Sequence, residues 1–263
     1  MSTVVFLGGG RITSAILAGL RLSHTKDRLI VHDHNPGKLR QLQRRYRAIP
    51  EGNLQRAVAR ADLLIVAVRP DSVGDLLQAI GDITRPLLAV SVAAGVPLRV
   101  LSKELGPPVR WARSMPSPVC RSGNGLTAVS FPVNLSRHDR QRVRDFFSTF
   151  GQVIEIPESK FDAFTVTYSS SHGYHALATL AKAAQEIGLD RKTALLAAAH
   201  AFADGITAWR EGKHSLQSLL EEAATPGGIA ATTMAAMDHA GYGRAVRKGL
   251  KAGFRRARYN ARA

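Results

Sequence analysis

The residues best suited to chemistry lie at the start of the chain. Val4-Val5-Phe6-Leu7 runs directly into Gly8-Gly9-Gly10-Arg11-Ile12-Thr13. A short apolar strand passing through glycines into a helix leaves backbone N–H groups unpaired at the helix N-terminus, where an anion such as a pyrophosphate is favoured. Gly8 permits the tight turn, and Gly10 lets the main chain approach the phosphates. Thr13 stands where the G-x-G-x-x-G pattern has its third glycine, so the helix is expected slightly further from the sheet. The acidic residue after the second strand is Asp33, whose carboxylate would accept from a ribose 2′-hydroxyl and favour NAD. His32, His34, Asn35, Lys38 and Arg40 cluster where a 2′-phosphate would lie and favour NADP. Both cofactors stay open, with NADPH slightly favoured.

Other residue types offer less. Cys120 is the only cysteine, which excludes an internal disulfide and suits a reducing compartment. His175, His200 and His239 have no metal-ligand spacing, and no metal is expected. The net charge of +16 is high. Its clusters are Lys38–Arg47 and a tail holding Arg244, Arg247, Lys248, Lys251, Arg255, Arg256, Arg258 and Arg262. These read as solvated helix faces. The tail interleaves only Phe254 and Tyr259, which argues against a nucleic-acid partner. No segment reaches the ~20 apolar residues that cross a bilayer, and MSTVVFLGGG lacks the regions of a signal peptide. A cytoplasmic protein with no membrane partner is expected.

The elements that must position these residues alternate in the first half. Strands are expected at Val4–Leu7, Leu29–His32, Leu63–Val68, Leu87–Val92 and Val109–Arg113, with later ones at Thr127–Phe131 and Val153–Ile156. Between them the spacing predicts helices over Pro36–Tyr46, Asn53–Arg60, Asp71–Ile80, Pro97–Leu105 and Ser136–Phe150. Asn35 is a natural N-cap, with Pro36 at the first helical position. The pattern implies an α/β fold, with a Rossmann-type, doubly wound, mainly parallel sheet covered by helices on both faces. After Pro157 the character changes. Tyr174–Ile187, Lys192–Arg210, Leu216–Ala224 and Ile229–Ala240 are alanine-rich with helical spacing, and no strand is expected beyond Phe161. A dinucleotide-binding domain over residues 1–158 and an all-helical C-terminal domain over 159–263 follow. The helical apolar surface exceeds what one small bundle buries, so a homodimer or higher homo-oligomer is expected through this domain.

Several segments, in this order and spacing, resemble the pyrroline-5-carboxylate reductases along nearly the whole chain. They are FLGGGRITSAILAGL, EGNLQRAVARADLLIVAVRP, SVAAGVPLRVL, RSMP, TPGG and GYGRAV. The resemblance implies hydride transfer from NAD(P)H to the C=N bond of 1-pyrroline-5-carboxylate, a small anionic imine, giving L-proline. It also implies that the helical domain dimerises and completes the site. Carried over by position, Gly8, Gly10, Arg11 and Ile12 would cradle the pyrophosphate, and Asn53 would touch the adenosine ribose or its phosphate. Val68, Arg69 and Pro70 would border the nicotinamide, with Ala93, Ala94 and Gly95 opposite. Met115 and Pro116 would line the substrate cleft.

The departures fall on the substrate side. The family's Ser-Gly-Ser-Gly-Pro-Ala-Tyr corresponds here to Tyr168-Ser169-Ser170-Ser171-His172-Gly173-Tyr174. Its Ser-Pro-Gly-Gly-Thr-Thr corresponds to Thr225-Pro226-Gly227-Gly228-Ile229-Ala230, without either threonine hydroxyl. Gly227, Gly228, Ile229, Ala230 and Ser171 are thus the implied substrate contacts. His172 and Thr233 are the candidates to compensate, His172 as a donor to a carboxylate or a source of a proton. Three readings stay open: a pyrroline-5-carboxylate reductase, a related reductase for another cyclic imine, and a dinucleotide-binding protein that has lost the reaction.

Overall fold

The computed structural model describes residues 1–260, which fall into two compact units. The first holds Met1–Tyr168 together with the end of the chain from Ala252. Its opening elements are β1 (Thr3–Leu7), α1 (Arg11–Leu22), β2 (Arg28–His32), α2 (Pro36–Tyr46), β3 (Ile49–Glu51) and α3 (Leu54–Ala59). There follow β4 (Leu63–Val66), α4 (Val73–Ile80), β5 (Leu87–Ser91), α5 (Leu98–Glu104) and β6 (Val109–Pro116). It closes with β7 (Gly125–Ser130), α6 (Arg137–Ser148), β8 (Gly151–Glu155) and α7 (Glu158–Thr167).

The eight strands form one sheet in the order β3-β2-β1-β4-β5-β6-β7-β8. Every neighbouring pair is parallel except β6 and β7, where Arg113 faces Ser130 and Pro116 faces Thr127. The order reverses between β1 and β4, so successive crossovers leave on opposite faces and open a crevice at the strands' carboxyl ends. Alternation along β1 divides the core. Val4 and Phe6 join a cluster with Ile16, Leu17, Leu42, Phe146 and Phe147, while Val5 and Leu7 join Val58, Leu77, Leu101 and Trp111 on the other face. Each fully buried side chain of this size contributes about 1.5–3 kcal/mol.

Some boundaries differ from the sequence expectation. The strand expected over Leu63–Val68 ends at Val66, although the Ala67 N–H still donates to Leu7 O of β1 at 2.9 Å. The helix expected over Asp71–Ile80 opens as a 3-10 turn at Pro70–Ser72 before α4 begins. β3 was not expected: it is a three-residue edge strand containing Pro50, too short to show a period. Nor was α7, which is fastened to the sheet rather than grouped with the later helices. Arg113 of β6 is 2% exposed; its guanidinium donates to Glu158 at 2.8 Å and Asp162 at 3.0 Å, and lies 4.4 Å from the Phe161 ring centroid. The junction expected at 158/159 falls just after the first residue of α7, whereas the compact unit runs on to Tyr168.

The second unit, Ser169–Lys251, contains α8 (Ser170–Glu186), α9 (Arg191–Glu211), α10 (Leu216–Ala223) and α11 (Ile229–His239). A last helix, α12 (Tyr242–Asn260), starts in this unit and ends in the first. α8 begins earlier than the expected Tyr174, taking Ser171 and His172 into its first turn. The basic tail proves to be α12 itself, Arg262 lying outside the described residues. None of the described helices is long and apolar enough to cross a membrane.

Gly19 shows how tightly α1 is seated. A Cβ built there would lie 2.5 Å from the Cys120 carbonyl oxygen and 2.6 Å from Phe150 Cβ. Alanine normally gains roughly 1 kcal/mol over glycine inside a helix, but here one neighbour is backbone and cannot turn away. Gly19→Ala is expected to destabilise the protein by about 1–3 kcal/mol, read as a lowered urea midpoint; an unchanged or raised midpoint would refute this packing.

Candidate dinucleotide site

The glycine loop is held from three sides. Gly8 has φ +105°, and a Cβ on it would stand 2.8 Å from the Ala67 carbonyl oxygen, so glycine is required twice over. Its N–H donates to His32 O at 2.8 Å. The next N–H, of Gly9, donates to Asp33 Oδ2 at 2.8 Å. Gly10 is extended and caps α1 without a side-chain acceptor, and a Cβ there would meet nothing within 4 Å. The first N–H groups of α1 thus face an open hollow with no partner in their own helix. Thr13 is fully buried, and its hydroxyl donates to Gly8 O at 2.5 Å. A side-chain bond fills the place of the missing third glycine.

Above the loop lies a cleft of about 360 Å³, lined by Gly8, Gly10, Asp33, Lys38, Val68 and Arg69 together with His32, His34, Ala67, Ser72 and Leu76. The Asp33 carboxylate is buried, and its Oδ1 accepts from the Asn35 N–H at 2.8 Å. Burial pushes the Asp33 pKa up, but the N–H groups of Asn35 and Gly9, with the charges of Lys38 and His34, outweigh that and hold it below its ordinary value. Lys38 Nζ lies 3.6 Å from Oδ2, and His34 is almost wholly exposed at the rim. The rim where a ribose would sit is therefore basic and open, while the acid beneath it is tied to backbone.

The other expected cofactor residues stand along the same carboxyl edge. Asn35 and Asn53 are both helix N-caps: Asn35 Oδ1 accepts from Gly37 and Lys38, and Asn53 Oδ1 accepts from Arg56 at 2.8 Å. Each exposed amide keeps its NH₂ as a donor. Arg11 is exposed and Ile12 half-buried in the first turn of α1. Pro70 opens the 3-10 turn, and Arg69 reaches along the surface, its Nε 3.6 Å from Asp71. Ala93 and Ala94 follow β5, and Gly95 beside them has φ +80°. Ala94 O accepts from Asn260 Nδ2 at 3.4 Å, and a Cβ on Gly95 would strike the Ala257 carbonyl, so the end of α12 covers this turn. Met115 and Pro116 end β6. Ser72 and Leu76 line the cleft but were missed, since nothing in their spacing separates them from an ordinary helix face.

The substrate-side candidates other than Met115 and Pro116 lie in the second unit. Ser171 and His172 occupy the first turn of α8; Ser171 Oγ is 2.7 Å from Ser169 Oγ, and the His172 N–H donates to Ser169 O. Gly227 has φ +77°, and Gly228 caps α11 without a side-chain acceptor. Ile229 is 88% exposed and Ala230 is exposed. The hydroxyl of Thr233 donates back to Ile229 O at 2.9 Å, within its own helix.

Two family models match the chain, at bounds that differ from those of the two compact units. Residues 158–259 match the family model described as pyrroline-5-carboxylate reductase dimerisation, and residues 3–95 match that described as NADP oxidoreductase, coenzyme F420-dependent. The pyrroline-5-carboxylate reductase of Mycobacterium leprae is 31% identical over 212 residues, covering 77% of this chain and 72% of that protein. The chain belongs to the pyrroline-5-carboxylate reductase family. The enzyme of Corynebacterium melassecola is similar at 28% identity, over 90% of this chain and 89% of its own. The fold agrees with the NADP-bound pyrroline carboxylate reductase of Plasmodium falciparum at a TM-score of 0.89, with 20% identity, across 99% of this chain and 98% of that one. The amino-terminal match ends at Gly95, the turn that α12 covers, and the dimerisation match begins at Glu158, the residue that Arg113 grips.

Because the folded pKa of Asp33 is depressed, its contribution is complete above the ordinary carboxylate range and is lost as pH falls through the folded value. Asp33→Asn keeps the shape but has one oxygen for two backbone donors. It should lower stability at pH 7 by roughly 1–2 kcal/mol, and the gap from the parent should narrow toward pH 3. Urea unfolding at both pH values checks this; a gap that is constant or widens on acidification would overturn the assignment.

Proposed function

We propose that this chain is an NAD(P)H-dependent reductase that transfers hydride to the C=N bond of 1-pyrroline-5-carboxylate, giving L-proline, and that it favours NADPH. The observation that carries this reading is the open hollow beside Gly10 at the uncapped start of α1, within a chain of this family. A pyrophosphate fits there because free N–H groups meet it and no side chain fills the space. Bound nicotinamide supplies the hydride. The chain's own residues bind, orient and exclude water.

In this reading Gly8, Gly10, Arg11 and Ile12 hold the pyrophosphate, and Asn53 reaches the adenosine end. Asp33 already accepts two backbone N–H groups and is buried, which leaves Asn35, His34 and Lys38 to meet a 2′-phosphate. Val68, Arg69 and Pro70 flank the ring on one side, with Ala93 and Ala94 on the other. Met115 and Pro116 wall the cleft. The amides after Gly227 and Gly228, at Ile229 and Ala230, anchor the substrate carboxylate, with Ser171 and Thr233 beside them. His172 is the candidate to hold a proton near the imine nitrogen. A homodimer forms through the helical unit, where Leu195, Leu196, Ile206 and Trp209 each expose about half or more of their surface. Light scattering should report a dimer or a multiple of one, and a monomer at micromolar concentration is incompatible with this assembly.

A second reading, a different cyclic imine as substrate, is favoured by one observation: apolar Ile229 and Ala230 present no hydroxyl at the start of α11. Each lost charge-assisted hydrogen bond is worth roughly 1.5–3 kcal/mol. Steady-state NADPH oxidation across a panel of cyclic imines separates the readings. We expect weak turnover of pyrroline-5-carboxylate with a high KM, raised at least about tenfold in kcat/KM by Ile229→Thr with Ala230→Thr. Turnover of another imine alone establishes the second reading, and nucleotide binding without any turnover defeats both. Gly10→Val should abolish NADPH binding in a calorimetric titration while unfolding stays cooperative, and unchanged binding would overturn the loop's role.

A further inference from the structure

We propose a second anion site, built for a phosphorylated small molecule, at the amino-terminal edge of the sheet. A hollow of about 400 Å³ lies there, with Asp62, Arg85, Arg110 and Arg142 in its wall. β1 separates the two edges, and its five residues put this hollow roughly 17 Å from the glycine loop.

Each guanidinium is fixed by part of its donor set and keeps the rest. Arg85 Nη2 donates to the carbonyls of Val58, Ala59 and Ala61 at 2.9, 3.2 and 2.7 Å, which anchors it to the end of α3. Arg110 is clamped by Asp139, through Nε at 2.7 Å and Nη2 at 3.2 Å. Arg142 Nη2 donates to the backbone carbonyl of Asp62 at 3.3 Å. That leaves Nε and Nη1 of Arg85, Nε and Nη1 of Arg142 and Nη1 of Arg110 without an acceptor among the described residues. The one carboxylate in the wall is Asp62, and its Oδ2 already accepts from the Thr3 N–H at 2.8 Å. Asp139 lies behind, neutralised by Arg110 and hydrogen-bonded to Ser136.

Donors therefore exceed acceptors in a hollow whose three guanidinia, that of Arg110 already paired with Asp139, are tethered before any ligand arrives, so less side-chain freedom is lost on binding. Guanidinium matches phosphate oxygens in pairs. A phosphate offers oxygens to three separate guanidinia at once, whereas a carboxylate has two oxygens to give. The volume leaves room for a small group esterified to it.

The test is a calorimetric titration with inorganic pyrophosphate on protein saturated with NADPH. We expect one site, weakened at least about fivefold by Arg142→Ala, since each charged hydrogen bond lost is worth a factor of this order or more. Asp62→Asn should tighten it, because the amide oxygen still accepts from Thr3 while the opposing charge is gone. The opposite signs distinguish a built site from general attraction to a basic protein. No binding, equal affinity in the three proteins, or both variants shifting the same way overturns the proposal. Both substitutions lie in the hollow and away from the glycine loop, so the same pair of opposite effects is expected when the titration is repeated without NADPH.

Discussion

One buried carboxylate organises the working edge of the first unit. Asp33 leaves the end of β2 and accepts hydrogen bonds from Gly9, in the loop after β1, and from Asn35, which caps α2. Two neighbouring strand-to-helix turns are thereby locked in register by a single side chain. The lock holds only because the group stays ionised while buried, which the surrounding N–H groups and Lys38 secure. With the loop fixed, Gly8 packs under Ala67, Thr13 reaches back to Gly8, and the start of α1 is left facing open space. The geometry that invites a pyrophosphate is thus a product of an acid that points into the protein.

That inversion marks where the sequence is legible. The strand–glycine–helix unit can be read because its period changes from two to 3.6 at a recognisable turn, and the sheet order follows from alternation of such units. Asp33 stands out by its position after the second strand, yet its two backbone partners depend on how adjacent turns meet, which no spacing reveals. Thr13 stands out as the missing third glycine, but the bond from its hydroxyl to the loop is not visible in any spacing. Edge strand β3 escapes because three residues carry no period, and α7 because its tie to the sheet runs through Arg113, distant in sequence. Among the substrate-side residues, Thr233 sits on the predicted helix, but the direction of its hydroxyl is a rotamer choice beyond any pattern.

The arginine excess also changes meaning once folded. The basic residues of the Lys38–Arg47 cluster and of α12 are exposed, as the sequence suggests, but arginines outside these clusters are not simply solvated. In the structure many arginines replace missing packing with hydrogen bonds. Arg21 donates to the carbonyls of Tyr46 and Arg47 at the end of α2, and Arg140 to those of Pro132, Val133 and Leu135. Arg113 is buried outright between β6 and α7. Long side chains with several donors close the ends of elements whose last carbonyls would otherwise face solvent or one another. Part of the net charge is therefore structural, and replacing such arginines with neutral residues would loosen joints rather than merely change solubility.

Cys120 sits in the 3-10 turn between β6 and β7, completely buried, with its carbonyl against Gly19 and its side chain against Gly125. Burial pushes its thiol up to about 12, so at neutral pH it stays protonated. The only sulfhydryl in the chain is thereby mute toward alkylating reagents and oxidants as long as the fold holds. A cysteine introduced on either unit would be the sole nucleophile of its kind, and spectroscopic labels could be attached one site at a time with no background to engineer away. Conversely, modification of Cys120 itself would serve as a clock for global opening.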